Sequence, residues 1–265
     1  MKAAAAMLRQ NTQILKHTYS DVNNNQWQCD ELNSQVVECT DGYECNYCHN
    51  KGIYYRLDNI VEVCSAPCPE CGSIRKSIRL FAISGLDKLT FEGFRVTAEW
   101  QGKLLALARE YVSCGSGQWF FIGGQSGAGK THICSAIIHE VIFTYHKPAI
   151  VFHWVEEGRR LKSLVNSEAD YEPEIDRYKK IPILYIDDFF KVKKGEKISS
   201  ADVRLAFEII NHRYNDRLRT IISCEKTLHE ILEIDEALGG RIRQMSGKYA
   251  FGIKSDSSKN YRFTV

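Results

Sequence analysis

The feature that most constrains this chain is the string Gly124-Gln125-Ser126-Gly127-Ala128-Gly129-Lys130-Thr131, which fits G-x-x-x-x-G-K-[ST] at every position. It follows the apolar run Trp119-Phe120-Phe121-Ile122 and opens a helical stretch over 130–145. Strand, glycine loop and helix in that order are the context in which such a loop cradles phosphate. Glycines let the backbone wrap closely around an anion with its N–H groups turned inward. The helix N-terminus adds a favourable potential for negative charge. All eight residues are therefore predicted to bind ATP. Lys130 reaches the β- and γ-phosphates, and Thr131 offers a hydroxyl to Mg²⁺.

The surrounding pattern alternates. Strands are predicted at 119–122, 149–154, 183–186, 220–223 and 249–253, and helices at 96–112, 130–145, 155–165, 201–215, 228–234 and 241–245. Such alternation implies a parallel sheet covered on both faces. A further helical start is expected over 3–17, and a linker into the main body over 84–95.

The run Ile183-Leu184-Tyr185-Ile186 ends in Asp187-Asp188. In a parallel nucleotide-binding sheet the ligand lies beyond the carboxyl ends of the strands. Asp187 is then expected to hold Mg²⁺, directly or through water, and Asp188 to orient the attacking water. Many ATPases carry Glu at the second position. Asp is one methylene shorter, so slow hydrolysis is expected. The strand at 220–223 is read as ending near the γ-phosphate, with Ser223 and Glu225 as candidates to sense it.

Ten cysteines form the second signal, and seven of them (29, 39, 45, 48, 64, 68, 71) fall in one short window. The N-terminal apolar run is too short for a secretory signal, so a disulfide scaffold is not expected and the cytoplasm is the default compartment. Cys45-Asn46-Tyr47-Cys48 and Cys68-Pro69-Glu70-Cys71 are two C-x-x-C knuckles with 19 residues between them. That spacing matches a tetrahedral Cys₄ zinc site. Cys64 is the alternative ligand, and Cys29, Cys39 and His49 are weaker candidates.

A formal net charge of +2 does not indicate a strongly cationic nucleic-acid binder. No stretch approaches the roughly 18–20 apolar residues of a membrane helix. One local element is basic. Lys191, Lys193, Lys194 and Lys197 follow Phe189-Phe190, a combination that suits single-stranded nucleic acid as well as it suits a solvated loop. Arg241-Ile242-Arg243 is expected to open a short helix after Gly239-Gly240.

Taken together, these residues resemble the DnaC/DnaI-type bacterial and phage helicase loaders, AAA+ ATPases related to the transposition helper IstB. The resemblance rests on Thr90-Phe91-Glu92-Gly93-Phe94 and on residues 124–132, 184–190, 206–211, 220–225 and 235–245, and it covers about residues 41–265. It implies an α/β fold, a P-loop AAA+ (ASCE) parallel sheet flanked by helices. That fold has no C-terminal lid, since the chain stops soon after Tyr261-Arg262, and a small zinc-binding domain precedes it. The division implied is a partner-interaction domain over 1–85 and an ATPase domain over 86–265. Lys130 and Thr131 match the Walker A pair, and Asp187 and Asp188 match Walker B. Arg241 matches the catalytic arginine finger offered to a neighbour, with Arg243 beside it. Glu225 stands where bacterial loaders often show Asn.

The function implied is ATP-dependent loading of the replicative hexameric helicase onto single-stranded DNA, with a homo-oligomeric ring or spiral forming on ATP. The alternative is an IstB-like transposition helper or regulatory DNA-binding ATPase. A small-molecule P-loop kinase is disfavoured, because no Arg-rich lid lies between Lys130 and Asp187.

Overall fold

A computed structural model describes residues 19–59, 61–114, 117–193, 195–256 and 259–261. The helix expected over 3–17, Lys194 and Arg262 lie outside the described residues. The chain divides into two compact units, Met1–Lys76 and Ser77–Val265.

In the first unit, helix α1 (Tyr19–Ser34) precedes an antiparallel hairpin of β1 (Ile53–Leu57) and β2 (Val63–Pro67), with Ile53 opposite Pro67 and Leu57 opposite Val63. Asn33 extends the hydrogen bonding of β1 sideways. Its Nδ2 donates to Tyr55 O and its Oδ1 accepts from Tyr55 N–H, both at 2.8 Å. An asparagine side chain thus satisfies both backbone groups of one edge-strand residue. The division into units falls inside α2 (Gly72–Ile83), before the expected residue 85. The reason is that Phe81 is buried in the hydrophobic core of the second unit.

The second unit continues with α3 (Glu99–Ser113), β3 (Phe120–Gly124), α4 (Lys130–Phe143), β4 (Ala149–His153), α5 (Trp154–Leu164), α6 (Glu168–Lys180) and β5 (Ile183–Phe189). It closes with α7 (Ser200–Asn215), β6 (Arg219–Cys224), α8 (Leu228–Ile234), α9 (Glu236–Ser246) and β7 (Ala250–Ile253). The five strands form one sheet in the order β4-β5-β6-β3-β7, every pair parallel. The additional strand β6 therefore separates the phosphate-loop strand from the acidic strand.

Strand side chains alternate between two cores, as the two-residue period requires. Phe120, Ile122, Tyr185 and Ile221 pack with α3 and α4 on one face. Phe121, Leu184, Ile186 and Ile222 pack with residues of α5 to α9 on the other. At about 25 cal/mol per Å² of apolar surface removed from water, burying both faces is the main drive for folding.

Four helices differ from the sequence expectation: none is expected at α1 or α2, and α6 and α9 depart for identifiable reasons. Helix α6 was not expected, because its sequence is strongly charged and holds Pro173. Its anchors are Ile175 and Tyr178, both buried. Helix α9 starts at Glu236 rather than at residue 241, with the Asp235 carboxylate accepting from Leu238 N–H at 2.7 Å as an N-cap. Gly239 and Gly240 are inside this helix. A Cβ on Gly239 would lie 2.9 Å from Leu232, so that glycine lets α8 and α9 approach closely instead of breaking the chain.

Arg213 of α7 is fully buried among carbonyls. It donates to the backbone oxygens of Tyr178 (2.9 Å), Ile181 (2.8 Å) and Arg219 (2.6 Å), and to Thr220 Oγ1 (2.9 Å). One guanidinium thereby ties the end of α6 to the starts of β5 and β6. A cation is favourable at a helix C-terminus. Burial pulls its pKa down to about 9, so it stays charged at neutral pH.

Candidate active site

The phosphate loop runs from the end of β3 into α4, and its shape depends on glycine. Gly124 has φ +110°, and a Cβ there would sit 2.0 Å from Ile253 O on β7. Gly127 has φ +73°, and a Cβ there would sit 2.0 Å from Asn260 Oδ1. No other residue fits either place without moving backbone or neighbour.

Lys130 is the first residue of α4 and is buried. Its Nζ donates to Gly124 O (2.9 Å) and Gln125 O (2.7 Å), closing the loop on itself. Burial lowers the pKa of this ammonium. The next side chain, Thr131, donates to Asp187 Oδ1 at 3.1 Å. The loop and the acidic strand, 56 residues apart in sequence, are thus joined directly.

Asp187 sits near the end of β5. Its Oδ1 also accepts from Tyr185 OH (2.5 Å) and Ser223 Oγ (2.8 Å), and its Oδ2 lies 3.7 Å from His153 Nδ1. Burial pushes its carboxyl pKa up, but the nearby His153 and the hydrogen bonds from Tyr185 and Ser223 outweigh that and hold it below the usual range. His153 is raised in turn, first by its proximity to the Asp187 carboxylate.

Asp188 occupies an irregularity in the β5–β6 pairing between Ile186 and Phe189, with φ +55°. A non-glycine residue in the left-handed region is uncommon and is kept only where its surroundings fix it. Here its N–H donates to Ser223 Oγ at 3.1 Å, and its Oδ2 accepts from Lys191 Nζ at 2.6 Å.

A cavity of about 400 Å³ opens over the loop, within the usual range for ligand sites. Ser126, Gly127, Gly129, Lys130 and Thr131 line it from the loop, and Asp188, Lys191 and Glu225 from the strand ends. Gly93, Phe94, Arg95, His132 and Tyr261 complete the wall. Phe94 meets His132 edge-on at 5.3 Å and Tyr261 at 6.4 Å. Tyr261 is held by its OH to Arg95 O (2.7 Å) and by its N–H to Gly127 O (3.0 Å). Such an aromatic wall beside a phosphate loop suits a flat base.

The sensor candidates separate. Ser223 is fully buried behind the two aspartates, whereas Glu225 reaches the cavity and accepts from Ser126 Oγ at 2.9 Å. Arg241 does not line this cavity. It lies on α9 over the rings of Phe207 (5.0 Å) and Tyr214 (5.5 Å), with Nη1 donating to Ala237 O, and Arg243 beside it is exposed. The tyrosine-bearing wall was missed in the sequence, since no local pattern links Tyr261 to a loop more than 130 residues earlier. Lys191 stands in the sequence only as part of a basic run after Phe189-Phe190.

In the first unit, Cys45, Cys48, Cys68 and Cys71 are buried and their sulfurs lie within 4.8 Å of one another. Cys45 and Cys68 are 3.9 Å apart, and Cys48 and Cys71 are 3.4 Å apart. A tetrahedral zinc with Zn–S of 2.3 Å needs sulfurs about 3.8 Å apart, so the four residues fit the ion. Two outer groups also suit thiolates: Gly52 N–H points to Cys48 Sγ (3.2 Å) and Arg75 Nε to Cys71 Sγ (3.3 Å). The Arg75 guanidinium is fixed by an ion pair with Asp41 and by Tyr43 O. Outer-shell donors of this kind orient ligands. Cys29, Cys39, His49 and Cys64 are outside this group among the described residues.

No helix among the described residues is long and apolar enough to cross a membrane. Comparison with known proteins places the chain. Residues 87–246 match the model of the bacterial DnaA ATPase domain. The phage-like element PBSX protein XkdC of Bacillus subtilis (strain 168) is 31% identical over 229 residues, covering 80% of this chain and 83% of that protein. The fold is similar to a crystal structure of the DnaC helicase loader, with a TM-score of 0.54 and 21% identity over 65% of this chain and 99% of that one. It is also similar to the replication initiator DnaA bound to AMPPCP and single-stranded DNA, with a TM-score of 0.51 and 19% identity over 65% of this chain and 51% of that one. With more than half of its length matched, the chain belongs to the bacterial DnaA ATPase-domain family and is an AAA+ ATPase.

Proposed function

We propose that this chain is an ATP-dependent loader that delivers a replicative hexameric helicase onto single-stranded DNA. The observation that carries the reading is the pairing of two modules: a Cys₄ group in the first unit, and in the second a phosphate-loop cavity backed by Asp187 and Asp188. A dedicated metal-stapled module gives a loader a rigid surface with which to grip a partner protein. Likeness to the DnaC helicase loader over nearly all of that chain supports loading. The DnaA family match supports replication initiation over transposition.

In this reading residues 1–85 hold the partner and residues 86–265 hold ATP. Residues 124–131 wrap the phosphates and Lys130 leaves its loop carbonyls for them. Thr131 and Asp187 are two hard oxygen donors side by side, which fits Mg²⁺. Magnesium, when bound, neutralises charge on the phosphates. Asp188 orients the attacking water. Phe94 and Tyr261 flank the base. Arg241 acts in trans, in a ring or spiral of identical subunits that forms on ATP. The deciding experiment mixes the full chain with the replicative helicase of its source cell and circular single-stranded DNA. Helicase retained on the circle only when chain and ATP are both present supports loading. Helicase that loads equally well without the chain refutes it.

A further inference from the structure

Lys191 is placed more tightly than a residue of a solvated basic loop should be. Its N–H donates to Asp188 O at 2.9 Å, closing a turn, and the turn carries two non-glycine residues at positive φ, Asp188 (+55°) and Phe190 (+58°). The turn is pinned from below. Phe189 and Phe190 are fully buried, stacked at 4.2 Å, and both meet Trp154 edge-on at 5.0 and 5.3 Å. The backbone of this segment is therefore fixed, while the Lys191 side chain is 38% exposed.

Its ammonium is shared by two carboxylates, Asp188 Oδ2 at 2.6 Å and Glu225 Oε1 at 3.7 Å. Glu225 in turn holds Ser126 of the phosphate loop. All four side chains line the cavity. They form a chain of contacts from the acidic strand end across to Ser126 of the phosphate loop. Two carboxylates face one ammonium on that wall, so an incoming phosphate meets a cation that it can compete for. A phosphate with three oxygens and more charge competes well for an ammonium held by partly exposed carboxylates. Lysine suits such an exchange, being a compact charge on a flexible four-carbon stem.

We propose that Lys191 is a terminal-phosphate latch. Its resting partners are the Asp188 and Glu225 carboxylates. The γ-phosphate of ATP draws the ammonium onto itself and so frees Asp188 to orient water. ADP lacks that phosphate and leaves the latch shut. The inference rests on the ATP-site reading above and adds a residue that distinguishes ATP from ADP.

The test compares equilibrium affinities for a non-hydrolysable ATP analogue and for ADP, both with Mg²⁺, in the full chain and its variants. Thermal melts followed by circular dichroism establish that each variant is folded. Lys191→Gln should lose about tenfold of the preference for the ATP analogue, the size of one charge-assisted hydrogen bond, with ADP affinity unchanged. Lys191→Arg should keep the preference. Asp188→Asn, which loosens the latch, should bind the ATP analogue a few-fold more tightly. An unchanged ATP-to-ADP ratio in folded Lys191→Gln overturns the latch, as does an equal loss for both nucleotides. Lys130→Ala separates the two readings: if it binds both nucleotides like the parent chain, the ATP site itself is misplaced.

Discussion

Ser223 Oγ donates to Asp187 Oδ1 at 2.8 Å, while Asp188 N–H donates to the same hydroxyl at 3.1 Å. One buried hydroxyl on β6 thus holds both carboxylate residues of β5 at a point where the strand pairing is irregular. Ser223, one of the two sensor candidates in the sequence, is fully buried and contacts both aspartates.

Ser223→Ala should leave Asp187 one donor short and Asp188 N–H without its acceptor. We expect a loss of about 1–3 kcal/mol in stability, the penalty for unsatisfied buried groups. Chemical denaturation measures it, and Ser223→Thr tests whether restoring the hydroxyl recovers part of the loss. Hydrolysis should slow with little change in nucleotide affinity.

On the proposed function, Lys130 meets phosphate in the ground state and Lys130→Ala should abolish ATP binding. Asp188→Asn should retain binding and hydrolyse slowly, because the proposed role of Asp188 is on the attacking water. Calorimetric binding and single-turnover hydrolysis distinguish the two effects.

Zinc should be present at close to one ion per chain in metal analysis of the purified protein. Cys45→Ser and Cys71→Ser should lose it, and Cys64→Ser should keep it, because among the described residues only the four clustered sulfurs lie at zinc-ligand spacing. Zinc retained in Cys68→Ser but lost in Cys64→Ser would reassign the fourth ligand.

Arg241→Ala should bind ATP normally and hydrolyse it poorly if the arginine serves a neighbour. A true arginine finger contributes on the order of 10³-fold or more. Mixed with Lys130→Ala protein, which has the finger but no working site, it should regain part of its ATPase. Co-assembly without any recovery would leave Arg241 as the packing partner of Phe207 and Tyr214.

Acid should weaken the second unit partly through Asp202. Burial pushes its carboxyl pKa up, but Lys162 and the Ser199 side chain and N–H outweigh this, so the folded pKa lies below the unfolded one. Its stabilisation is therefore present above the unfolded pKa and lost as pH falls through the folded one. Asp202→Asn should cost about 1 kcal/mol at neutral pH, as loss of a helix cap does, and should flatten the acid limb of a stability–pH curve.

What the sequence by itself determined was whatever short-range rules control. Glycine spacing with Lys130-Thr131 defined the loop, because only glycine tolerates positive φ and close approach there. Apolar runs of strand length marked the five strands of the parallel sheet but not the hairpin of β1 and β2, and two C-x-x-C knuckles marked the cluster that the fold brings together. Asp187 and Asp188 were legible as a strand end. Helix α6 was not, since its anchors Ile175 and Tyr178 gain from packing that outweighs Pro173 and its charges. Only the tertiary structure decided that Lys191 faces the cavity while Ser223 is spent behind it, that Phe94 and Tyr261 meet across the phosphate loop, and that Arg213 binds carbonyls of α6, of the link into β5 and of β6. Each depends on side chains from distant segments meeting in one place, and that is set by the sheet order and the packing of helices on its faces, which no local period encodes.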